Sequence, residues 1–103
     1  MLEETLVAVL SEFGRSPRIN ALAGRDHWGH VFSVALAGGG IRGGRVIGRS
    51  DDQAAYPEEG LVQPEDITAT ILDRLGLEPR AEIHDPTGRP VPLSRGNVLT
   101  GLL

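Results

Sequence analysis

The chain has 103 residues, with 14 acidic and 10 basic side chains, a formal charge of -4 and no cysteine. Lack of cysteine excludes a disulfide scaffold, thiolate chemistry and Cys-ligated zinc. The acidic balance is wrong for a nonspecific nucleic-acid binder, which presents a basic face. Every basic residue is arginine, and Phe13, Trp28, Phe32 and Tyr56 are the only aromatics of the Phe, Trp and Tyr type, so a core here is aliphatic.

The length fits one domain or part of one, and residues 1–103 read as a single partial domain. No apolar run approaches the ~20 residues of a membrane span. Met1-Leu2-Glu3-Glu4 lacks the basic start and apolar run of a secretory signal. A strand-like run begins almost at once, which suggests the C-terminal part of a longer protein.

Thr5 to Leu10 (TLVAVL) is continuously apolar and β-branched. That pattern predicts a strand covered on both faces, as in a parallel sheet. Ser11 to Gly24, with two glycines and Ser16-Pro17, reads as loop. Val31 to Ala37 is a second predicted strand. Gly38-Gly39-Gly40 and Gly43-Gly44 permit sharp bends, and Arg45 to Gly48 reads as a short third strand closing a hairpin-like excursion.

Ser50 to Gly60 is polar and reads as an exposed loop. Val62 to Leu77 carries the signature of a helix. Pro64 suits its first turn, Glu65 and Asp66 suit its positive end, and Ile67, Ile71, Leu72 and Leu75 make an apolar stripe. Gly76 and then Pro79 stop it. Three prolines confine Ile83 to Leu93 to an edge or irregular strand. Ser94 to Leu103 reads as a short helical turn or a ragged tail. Open α/β sheets place functional side chains in loops at strand ends, so this pattern directs attention to the loop between the first two strands.

That loop holds Glu12, Arg15, Arg18, Arg25, Asp26, His27 and His30. Carboxylate and imidazole together suit a divalent ion. The bland alternative pairs Asp26 with Arg25 or Arg18, and Glu12 with Arg15 or Arg18. The planar forks of Arg15, Arg18, Arg25 and Arg42 suit a phosphate or sulfate group, although solvated surface arginines are common. Gly38 to Gly44 is not a P-loop, because no Lys-Ser/Thr follows and a strand, not a helix, comes next. No serine sits in a G-x-S-x-G elbow.

TLVAVLSEFGRSPRI, GRDHWGHVFSVALAGGGIRGGRVIG and EDITATILDRLGL, in that order, resemble the bacterial family called domain of unknown function 1501. That family looks sulfatase-like and similar to the alkaline phosphatase superfamily. The resemblance implies an α/β fold: the C-terminal portion of a three-layer sandwich, with a mostly parallel sheet and a short hairpin excursion. It further implies a metallohydrolase acting on phosphate or sulfate esters, or else a noncatalytic module of that fold holding an anionic ligand or partner.

The superfamily's Ser-Asp-His-Gly strand end corresponds to Ser11-Glu12-Phe13-Gly14, where Phe13 replaces a ligating His. The implied metal residues are Glu12, Asp26 and His27, for zinc, manganese or calcium, with Arg15 and Arg25 as anion holders. The nucleophile and the first metal-binding Asp belong to an N-terminal segment that would be this chain's partner, leaving the chain inactive alone. Full-length members look exported or periplasmic.

Overall fold

The computed structural model describes Met1–Leu103. Its elements are β1 (Leu6–Val9), β2 (Gly14–Arg15), β3 (His27–Trp28), β4 (Ala35–Gly38), β5 (Arg49–Ser50), β6 (Pro57–Glu59), α1 (Pro64–Arg74), β7 (Glu82–His84) and β8 (Pro90–Pro92), then a 3-10 turn over Thr100–Leu102. The strands form four separate two-stranded ribbons, β1–β4, β2–β3, β5–β6 and β7–β8. All four are antiparallel.

This overturns the expected mostly parallel sheet and three-layer sandwich. Parallel neighbours need a long crossover, usually a helix, between them. Here the one α-helix comes after β6, and no strand pair is joined across it. The continuous apolar run of β1 misled because it is the pattern of a strand buried on both faces. In this chain neither face is covered: Leu6 is half-buried, and the rest of the strand is exposed.

Local chemistry explains where the elements moved. The second strand starts at Ala35, not Val31. Val31 and Phe32 instead cross Gly14, where an added Cβ would lie 2.6 Å from the Val31 carbonyl oxygen and 2.8 Å from Phe32 Cβ. Gly38, at φ +76°, turns against the backbone of Leu2 and Thr5 and ends β4. The predicted hairpin over Gly38 to Gly48 does not form. The ladder comes later, with Arg49 opposite Glu59 and Ser50 opposite Pro57.

The helix is close to its prediction. Pro64 occupies the first turn, and the Asp66 carboxylate accepts the Gln63 N–H at 2.8 Å. At the far end Leu77 N–H bonds Leu72 C=O at 2.9 Å and Gly76 N–H bonds Asp73 C=O at 3.0 Å. With Gly76 at φ +82°, this is a Schellman stop. Ala69 and Thr70 are its buried residues, whereas Ile67, Ile71 and Leu72 are only half-covered and Leu75 is exposed.

Two loops share one device. Ala23 N–H bonds the Asn20 carbonyl and Ala54 N–H bonds the Asp51 carbonyl. Asn20 Oδ1 accepts Gly24 N–H at 3.0 Å, and Asp51 Oδ1 accepts Ala55 N–H at 2.8 Å. Both alanines take left-handed backbone, at φ 61° and 55°.

The chain covers little of itself. Seven of 103 residues are buried, and Ala55 and Ala69 are the buried apolar ones. Its surface is 7673 Å², against about 5,600 Å² for a folded monomer of this mass. Its radius of gyration is 16.4 Å, against about 13 Å for a compact domain. Forty backbone–backbone hydrogen bonds hold it, where about 70 would be usual at this length. No helix is long and apolar enough to cross a membrane.

Candidate functional site

The loop after β1 returns on itself through the short β2–β3 ribbon, which sets Gly14 opposite Trp28 and Arg15 opposite His27. Gly14 is required there, because Val31 and Phe32 pass too close for a side chain. Ser11 Oγ donates to the Phe13 carbonyl at 2.9 Å and shapes the turn bearing Glu12. The Phe13 ring stacks on the His27 imidazole, with centroids 3.9 Å apart and 27° between planes. The Arg15 guanidinium lies 5.4 Å from the Phe13 ring centre, within cation–π range.

Ser16 ties the loop together. It is buried; its N–H bonds the Asp26 carbonyl at 2.9 Å, its Oγ donates to the Arg18 carbonyl at 2.8 Å, and it accepts the Asp26 N–H at 3.0 Å. Arg25 Nη1 donates to the carbonyls of Ser16 and Pro17 at 2.8 and 2.9 Å. Arg15 Nη1 reaches the Arg25 carbonyl at 3.4 Å. Asp26 Oδ1 accepts Asn20 Nδ2 at 3.0 Å. The chain's ion pairs join Arg49 to Glu58 and Glu59, Arg74 to Asp73, and Arg89 to Asp85. Glu12 and Asp26 take part in none of them, so the pairings with Arg15, Arg18 or Arg25 do not form.

The ribbon thus brings Phe13, Arg15 and His27 into contact, with Glu12 and Asp26 one residue from that stack. It does not gather the donors into one shell: no group of three His, Asp or Glu side chains is placed to hold a single ion. The donors suit a divalent cation in kind but not in number. A hollow of about 920 Å³ lies between this loop, β4 and α1. Glu12, Arg15 and His30 are on its wall, whereas Arg25, Asp26 and His27 are not.

An aromatic cluster beside the loop escaped the sequence reading. Trp28 and His30 lie 4.7 Å apart edge-on, and Tyr56 lies 5.7 Å from Trp28 and 4.9 Å from His30. Trp28 Nε1 donates to the Ala55 carbonyl at 2.6 Å. The signal available was scarcity, since two of the few aromatics meet here across 28 residues of chain. Asn20, which aims Asp26, was likewise missed; only its aptitude for turns hinted at it.

No curated protein and no solved structure matches the chain. One family does, described as "Protein of unknown function (DUF1501)", over residues 1–103. The match spans the β1 run, the β2–β3 loop and α1 alike, and the chain belongs to the DUF1501 family.

Proposed function

We propose that this chain supplies part of the active-site rim of a sulfatase-like metallohydrolase acting on phosphate or sulfate esters, and that it is catalytically silent by itself. The observation that most supports this reading is the β2–β3 ribbon, which sets the Glu12–Arg15 turn beside Asp26 and His27. Glu12 and His27 are the proposed donors to zinc, manganese or calcium. Asp26 is either a further donor or the carboxylate that orients His27. A divalent ion, when bound, supplies charge stabilisation at the ester oxygens.

Arg15 and Arg25 are the proposed anion holders, and they differ in freedom. Arg25 Nη1 is committed to two loop carbonyls, while Arg15 has one long contact and a ring to lie against. Arg15 is therefore the better placed to turn its fork toward an anion. The remaining donors and the nucleophile come from other polypeptide.

A second reading has its own support. Phe13 covers a face of His27, as suits a noncatalytic module of the same family that holds an anionic ligand or partner. Calorimetric titration of zinc, manganese and calcium into a longer family member separates the two. The hydrolase reading expects saturable uptake, weakened at least about tenfold by the substitution matching His27→Ala, by analogy with the loss when a metal site's supporting groups are removed. A folded protein that takes up none of the three metals favours the noncatalytic reading. Ester turnover by the 103-residue chain, abolished in His27→Ala, overturns its proposed silence.

A further inference from the structure

We infer that Asn20 is a positioning residue for Asp26: its side-chain amide holds one carboxylate oxygen, Oδ1, and leaves Oδ2 as the oxygen that Asp26 offers a divalent cation. This role rests on the hydrolase reading above.

The two alike loops differ in one atom. In each, the first residue's carbonyl accepts the N–H three residues on, from Ala23 or Ala54. Its Oδ1 accepts the N–H four residues on, from Gly24 or Ala55. Aspartate does this at position 51, so the turn asks only for an acceptor oxygen. At position 20 the side chain has an Nδ2 as well, and it donates to Asp26 Oδ1 at 3.0 Å. The orientation is forced. Asn20 Oδ1 already accepts the Leu22 and Gly24 N–H groups, both at 3.0 Å, so the end of the amide facing Asp26 can donate and cannot accept. An amide rather than a carboxylate at this position is thus accounted for by Asp26, not by the turn.

Asp26 is held at three points. Its N–H donates to Ser16 Oγ at 3.0 Å, its C=O accepts the Ser16 N–H at 2.9 Å, and Asn20 fixes Oδ1. Oδ2 makes no hydrogen bond within the chain. No arginine neutralises it. Arg25 turns Nη1 to the Ser16 and Pro17 carbonyls, Arg15 reaches the Arg25 carbonyl, and neither of these nor Arg18 pairs with Asp26. Asp26 is exposed, where one such contact adds little to stability. Carboxylates that bind metals are themselves held by hydrogen bonds, and a fixed carboxylate with one bare anionic oxygen fits that pattern.

The first test needs no metal. In the purified 103-residue chain, Asp26→Ala should shift the Asn20 side-chain amide resonances and leave the Leu22 and Gly24 backbone amides in place. Unmoved side-chain resonances overturn the role. The second test titrates zinc, manganese and calcium calorimetrically into a longer family member. The substitution matching Asn20→Ser keeps an oxygen for the turn but has no donor for Asp26, and should weaken uptake about tenfold. Added to the match of Asp26→Ala, it should cause no further loss. Unchanged uptake in the serine variant, or losses that add, overturn the positioning role while the hydrolase reading stands. No uptake by the unaltered protein overturns both. The resonance test leaves Asn20 itself in place, so it decides even where the serine variant does not fold.

Discussion

Between α1 and the Ser94–Leu99 tail, contact is specific and directional. Ser94 Oγ donates to the Glu65 carbonyl at 2.8 Å, Asn97 N–H to Asp66 Oδ1 at 2.9 Å, and Leu99 N–H to Thr70 Oγ1 at 2.9 Å. Gly96 lies so close to the Glu65 backbone that no Cβ fits. The β1–β4 ribbon has the more hydrophobic sequence and yet stands exposed, with four backbone pairings and no layer over it. Greasy sequence does not by itself make a core. The half of the molecule that closes does so through hydroxyls, a carboxylate and a missing side chain, while the apolar half stays open to solvent.

Breaking the closed half should produce the largest effects. Gly96→Val forces the tail off the helix and should cost about 3 kcal/mol or more, read as rapid amide exchange at Ala69 and Thr70. Thr70→Val keeps shape but leaves the Leu99 N–H without its acceptor. It should cost about 1–3 kcal/mol, measured as a lower urea midpoint. Trp28→Phe removes the bond to the Ala55 carbonyl, and about 1 kcal/mol is expected. Val9→Thr, on the open ribbon, should move the midpoint by less than about 0.5 kcal/mol. If Val9→Thr instead matched Thr70→Val, the contrast between the halves would be lost.

The smallest effect is a pH dependence in the β7–β8 turn. The Asp85 carboxyl is held below its usual range by the Thr87 hydroxyl first, then by the Arg89 amide, with the Thr87 amide and the Arg89 side chain adding to it. Because the folded value is depressed, its support is fully present above the unfolded value near 3.8 and is lost as pH falls through the lower folded one. The Asp85 carboxyl carbon resonance should hold its ionised position from neutral pH down to about 4 and shift only below it. Asp85→Asn should abolish that acid step.

The helix was legible because its signals are local: proline at the first turn, acids beside it, glycine at the stop. The β7–β8 turn was partly legible for the same reason, with Thr87-Gly88 between prolines. The β1–β4 and β2–β3 ribbons were not. Pairing of Leu6 with Gly38, or of Gly14 with Trp28, depends on contacts across 14 to 32 residues that periodicity does not encode. The apolar run of β1 was read for what covers such strands elsewhere, and that cover is absent within these residues. At the site, the sequence marked out the loop between the first two predicted strands, but the stack of Phe13 on His27, the roles of Ser16 and Asn20, and the aromatic cluster required three dimensions.

The two left-handed alanines imply unspent thermal margin. A side chain in that conformation is disfavoured by roughly 1–2 kcal/mol relative to ordinary backbone, whereas glycine there loses only the extra freedom of its unfolded state, about 0.5–1 kcal/mol. Ala23→Gly and Ala54→Gly are thus the uncommon glycine replacements that should raise the melting temperature. Because the Asp51–Ala55 loop offers the carbonyl that Trp28 bonds and the Asn20–Gly24 loop holds Asp26, a protein engineer could firm up this face without altering a single group proposed to meet a ligand.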